Sequence, residues 1–108
     1  MKILVVRFSS IGDIVLTTPV IRALKNQIEE VEIHYLTKNN FQPLLEGNPH
    51  LTKIYTIDKD TDEVLSELKA ENYDYLIDLH HNLRTLKLKF KLGVKHFSFP
   101  KVTKPIGI

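Results

Sequence analysis

The sequence has no cysteine. That excludes disulfides and thiolate metal sites and fits a reducing compartment. It has no large charge excess: the formal net charge is +2, which argues against nucleic acid as a partner and leaves room only for a local basic patch. It has no long apolar run. Met1-Lys2 leads into four apolar residues before Arg7, too few for a secretory signal, and nothing approaches the length of a membrane span. The chain is therefore expected to be soluble and cytosolic. It also lacks repeats, linkers and low-complexity segments.

What is present is a globular composition on 108 residues, with 43% apolar and 26% charged residues. That suffices for one domain with one core. Ile3 to Val6 is a continuous apolar run, the pattern of a strand buried on both faces. After Gly12 the period becomes helical, with Ile14, Ile21, Leu24 and Ile28 on one side. Thr18-Pro19 interrupts it, and a kink or restart is expected there, with Thr18 as N-cap and Pro19 as first helical residue.

The alternation then repeats. Strands are expected over 31–37, 51–57, 73–79 and 94–99, and helices over 39–46, 61–72 and 82–92. L-K-L-K-F-K-L (86–92) alternates with period two. It is read as helix because it lies between two strand patterns and ends at Gly93. Strand-helix alternation of this kind gives an α/β fold: a Rossmann-like open parallel sheet with helices on both faces and strand order 3-2-1-4-5. The chain ends soon after the fifth strand, so it is expected to be a fragment, or one half of a two-domain protein.

Open α/β sheets bind ligands at the C-terminal ends of the strands, where strand order reverses. Here that point lies between the first and fourth strands, beside S-S-I-G-D (9–13) and H-H-N-L-R (80–84). Gly12 is the only glycine of the first loop, so neither a dinucleotide fingerprint nor a P-loop is present. Asp13 has two readings. An acid in the first turn of a helix is ordinary punctuation, and the residues alone favour that. It could instead be a general base, held ionised by the same helix terminus. Ser9 and Ser10 read as loop hydrogen bonders; no serine triad is legible.

In the second loop Asn82 can cap a helix, which places Arg84 where the helix dipole opposes it. Arg84 is either an anion-binding residue or a solvated partner of Asp78 or Asp13, and the residues do not decide. Adjacent His80 and His81 lack metal-ligand spacing. D-K-D-T-D (58–62) fails as a calcium loop, because Glu63 and Lys69 stand where a glycine and a bidentate acid are needed. Its D-x-D pattern also allows a site for a nucleotide-bound metal, but the capping-box spacing of Asp60 and Glu63 favours helix punctuation. Arg84, Lys87 and Lys91 share one helix face, which is either solvated or turned to an acidic substrate or membrane surface.

K-I-L-V-V-R-F-S-S-I-G-D-I-V-L-T-T-P-V-I-R-A-L-K resembles the start of the ADP-heptose:lipopolysaccharide heptosyltransferases, glycosyltransferase family 9. Y-D-Y-L-I-D-L-H-H-N-L-R is similar to that family's fourth-strand segment, which ends in D-L-x-x-N-x-R. His81 departs from the family, where glycine is common. The resemblance covers the whole chain, in order, as the N-terminal half of a GT-B enzyme.

It implies an acceptor-side domain over residues 1–108, with the ADP-heptose site on a C-terminal domain this chain does not contain. It implies inverting transfer of heptose to a lipopolysaccharide core acceptor, without metal or cofactor. Asp13 matches the catalytic base, and Ser9, Ser10, Gly12, His80, Asn82, Arg84 and Lys87 are expected on the acceptor side. The expected location is the cytoplasm, with peripheral contact at the inner face of the inner membrane. The chain alone is expected to be inactive. A non-catalytic module for a small anion, and a pure assembly domain, are the competing readings.

Overall fold

The computed structural model describes residues 1–80 and 83–98. Five parallel strands form one sheet in the order β3-β2-β1-β4-β5: β1 Lys2–Val6, β2 Glu32–Lys38, β3 Lys53–Ile57, β4 Tyr75–Asp78 and β5 Lys95–Ser98. The fold is the α/β class expected from the alternation. In β1, Ile3 and Val5 face one core layer and Leu4 and Val6 the other, all essentially inaccessible to water. A strand buried on both faces must be apolar throughout, which is why K-I-L-V-V reads as a run.

The first layer packs the sheet against α1 (Ile11–Val15), α2 (Thr18–Gln27) and α3 (Gln42–Leu45) through Ile14, Ile21 and Leu45. The second packs it against α4 (Leu65–Ala70) and α5 (Leu83–Leu92) through Leu68 and Leu88.

The helix after β1 does restart before Pro19, one residue earlier than expected. Thr17 is the N-cap and Pro19 lies in the first turn. The Thr17 carbonyl accepts the Ile21 N–H at 3.1 Å, while its hydroxyl donates to Ile14 O at 2.6 Å. That leaves the Tyr35 hydroxyl to donate to Thr17 Oγ1, at 2.8 Å. Burial pushes the Tyr35 hydroxyl up to about 12. A strand residue thus pins the α1–α2 junction from below. The helices expected over 39–46 and 61–72 each begin as a 3₁₀ turn, at Asn39–Phe41 and Thr61–Val64. Asp60 and Glu63 cap the second: Glu63 accepts from the backbone N–H groups of Asp58, Lys59 and Asp60, and Asp60 accepts from Asp62 N. The 86–92 segment is helical, and Gly93 ends it at φ +65° with its N–H on Lys89 O.

A polar cluster sits at the N-terminal ends of the strands, away from the expected site. Glu71 accepts from the Tyr55 hydroxyl and pairs with Lys2 at 3.0 Å. Buried His34 lies between the Tyr73 hydroxyl at 2.7 Å and Glu32 at 2.6 Å. The Tyr55 hydroxyl, then Lys2, hold the Glu71 carboxyl at about 2, against an ordinary 4.5. A depressed folded-state pKa contributes stability that is complete above the unfolded value and lost as pH falls through the folded one. Thermal melts are therefore expected to lose stability from pH 4.5 down towards 2, and Glu71→Gln should flatten that limb. An unchanged limb in the variant would place the acid sensitivity elsewhere.

Candidate active site

The strand ladder runs on into the site. Arg7 N–H still reaches Leu36 O of β2 at 3.2 Å, and Val6 O accepts Leu79 N–H at 3.0 Å. The backbone on both sides of the β1/β4 switch point is thereby fixed before either loop begins. The chain then turns at Phe8–Ser10, with a cis peptide bond between Ser9 and Ser10, and enters α1 with Ser10 as N-cap.

Asp13 stands in the first turn of α1. Its Oδ2 accepts from the Ser10 backbone N–H at 3.3 Å and from the Ser10 hydroxyl at 3.0 Å, and meets Arg7 Nη2 at 3.0 Å. The Ser10 N–H and hydroxyl, then the Arg7 guanidinium, hold the Asp13 carboxyl below its ordinary value. The direction agrees with the expectation. The cause is more specific than a helix dipole, since α1 has only five residues. The Asp13 side chain is 48% exposed, and these three contacts all fall on Oδ2. Punctuation and availability coexist in one residue. Gly12 is exposed beside it, and a Cβ there would meet nothing within 4 Å.

The second loop is tied to the first. His80 Nδ1 accepts the Phe8 N–H at 3.2 Å, and its ring meets the Phe8 ring edge-on at 5.1 Å. His80 N–H donates to Asp78 Oδ1 at 2.9 Å. Asp78, the fully buried last residue of β4, faces the ammonium of buried Lys89 at 3.2 Å. Ser9, Ser10, Gly12, Asp13 and His80 therefore gather at the switch point.

Lys87 is exposed on α5, but Lys91 is bound to Asp62 at 2.5 Å, so the expected basic face is shorter than the sequence suggests. His81, Asn82 and the side chain of Arg84 lie outside the described residues. Asp62 is also part of D-K-D-T-D, which acts as a helix cap and an anchor for α5. Among the described residues no group of three or more His, Cys, Asp or Glu is placed to hold a metal ion.

Sequence reasoning missed Arg7 and Lys89. A cation ending a strand buried on both faces was a signal for the first. Lys89 hides in an alternating L-K-L-K pattern whose lysines look equivalent.

The chain is 28% identical over 107 residues to lipopolysaccharide heptosyltransferase 1 of Campylobacter coli, covering 94% of this chain and 31% of that protein. It is 33% identical over 78 residues to lipopolysaccharide heptosyltransferase 3 of Escherichia coli (strain K12), covering 63% and 23%. A glycosyl transferase family 9 crystal structure from Veillonella parvula DSM 2008 superposes with a TM-score of 0.81 at 28% identity, over 90% of this chain and 32% of that one. The chain resembles family 9 heptosyltransferases in sequence and in fold. No family profile matches it. Escherichia coli ADP-heptose lipopolysaccharide heptosyltransferase II also superposes at a TM-score of 0.81, and at 20% identity that likeness concerns the fold alone. The chain spans about a third or less of the length of the heptosyltransferases it matches.

Proposed function

We propose that the chain is the acceptor-side domain of an inverting, metal-independent heptosyltransferase with Asp13 as its general base. The observation that carries this reading is the Asp13 carboxylate: at the switch point, ionised, engaged at Oδ2 and half-exposed. A hydroxyl of a lipopolysaccharide core acceptor gives its proton to Asp13. The acceptor oxygen then bonds to the anomeric carbon of ADP-heptose, from the face opposite the nucleotide. The bond from that carbon to the β-phosphate oxygen breaks, and its electron pair leaves with ADP. The donor sits on a second domain that completes the cleft. The outward face of α1 supports such a partner surface, since Ile11, Val15 and Leu16 are all at least half exposed beside Asp13. No helix among the described residues is long and apolar enough to cross a membrane.

The test is transfer by the complete enzyme. One ADP should appear per heptose added, with the new linkage inverted relative to the donor and with full rate in chelator. A retained configuration, or no transfer to any core acceptor, would overturn the reading. Acceptor grip falls to Arg84, His80, Asn82 and Lys87. A guanidinium can take a carboxylate with two parallel hydrogen bonds, worth roughly 1.5–3 kcal/mol. Arg84→Ala is expected to raise the acceptor KM about ten- to a hundredfold, with partial rescue by lysine and an unmoved donor KM. A donor-side defect would return Arg84 to the solvated surface.

A further inference from the structure

The Arg7 side chain is only 13% exposed, and all three of its guanidinium nitrogens are engaged. Nε donates to Ser9 O at 2.7 Å, Nη1 to Leu79 O at 2.5 Å, and Nη2 meets Asp13 Oδ2 at 3.0 Å. The first contact holds the turn after β1, the second the end of β4, the third the acid. The fork is rigid and planar, so fixing two nitrogens fixes the third. Arg7 itself starts from a backbone locked to Leu36.

Asp13 Oδ2 collects an N–H from Ser10, an O–H from Ser10 and an N–H from Arg7. Its lone pairs are thereby used. All three contacts fall on that one oxygen, and Oδ1 takes none of them. A general base must meet the incoming hydroxyl at about 2.6–3.2 Å, and a displacement of about 1 Å is enough to cost on the order of a hundredfold in rate.

We propose that Arg7 is a positioning residue that fastens Asp13 by Oδ2 and so presents Oδ1 as the oxygen that receives the acceptor's proton. The inference rests on the reading of Asp13 as general base. It also explains why a largely covered cation follows the central strand: one guanidinium ties residues 7–13 to the end of β4 and sets the direction of the carboxylate together. Among the described residues, Arg7 is the cation in contact with this carboxylate. Segment α3, which packs against α1, carries no charged residue between Gln42 and Leu45.

Two measurements separate this inference from the reading beneath it. Carboxyl-carbon NMR of this chain gives the Asp13 titration midpoint without any need for turnover. In Arg7→Met the midpoint is expected to rise towards that of an ordinary aspartate, and Arg7→Lys should bring it only part of the way back. In the complete enzyme, Arg7→Met should lower kcat about ten- to a hundredfold with both KM values within a few-fold of wild type. A purely structural arginine would lower the melting temperature and leave kcat of the folded enzyme in place, even though loss of a cation 3.0 Å from the carboxylate moves the midpoint. If Asp13→Asn is inactive but Arg7→Met keeps the wild-type midpoint and kcat, the positioning role fails and the base stands. If Asp13→Asn stays active, both fail. Should Arg7→Met not fold, Arg7→Lys decides: one ammonium cannot replace three nitrogens, so a wild-type kcat there overturns the proposal.

Discussion

Asp13→Asn in the complete enzyme is expected to lower turnover by about 10²- to 10⁴-fold, with acceptor affinity nearly intact. The substitution keeps the size and planarity of the side chain. An amide oxygen can still accept from Ser10 and Arg7, the groups now bound to Oδ2. The fold of α1 should therefore survive, and equal melting temperatures would show it. What the amide cannot do is take a proton. The acceptor hydroxyl would then attack with its proton still attached, and the whole general-base contribution would be lost. Steady-state kinetics with each substrate varied in turn is the measurement. The donors around Asp13 hold its pKa below the ordinary 3.8, so wild-type turnover should not decline on this residue's account until the pH falls below that value. Turnover in the variant within a few-fold of wild type would leave Asp13 as helix punctuation only.

Lys89→Met is expected to destabilise the fold by about 3–5 kcal/mol, the usual range for breaking a buried ion pair from one side. Asp78 is fully buried and Lys89 is 8% exposed, so neither can exchange its partner for water. Methionine fills much the same space but removes the Lys89 ammonium from the carboxylate it faces at 3.2 Å. The His80 N–H bond to Asp78 remains and offsets only part of the loss. Urea titration should show a lower midpoint at an unchanged slope. Adding Asp78→Asn should recover much of the loss, because a neutral amide no longer needs the ammonium. A single-variant cost near zero would show that the pair is solvated in practice. Because Asp78 also holds the His80 backbone, the same variant should loosen the second loop before the domain unfolds.

The architecture was legible because it depends on local pattern. The K-I-L-V-V run, the interruption at Thr18-Pro19, the Asp60–Glu63 cap and the stop at Gly93 each state their structure within a few residues. The N-cap at Thr17 was one residue off because its hydroxyl is drawn into the core by Tyr35, a residue of the next strand. The site was half legible. Asp13 and the serines sit in one short motif. The Arg7 contact to Leu79 spans 72 positions, and no periodicity encodes it. Lys89 is likewise separated from Asp78 by a loop, and only the packing of α5 turns it inward while Lys87 stays in solvent. Charged residues in a period-two stretch cannot be sorted into buried and exposed until the helix is placed.

The Phe8 amide is protected by the His80 ring rather than by a neighbouring strand, and Leu79 O is held by Arg7 rather than by a backbone N–H. Residues 7–13 and 78–80 thus behave mechanically as a single plate bolted across β1 and β4. Neither can swing alone without stripping a partner from the other. A displacement of either segment therefore carries the other with it. Flexibility at this end of the sheet is therefore expected in what surrounds the plate rather than within it.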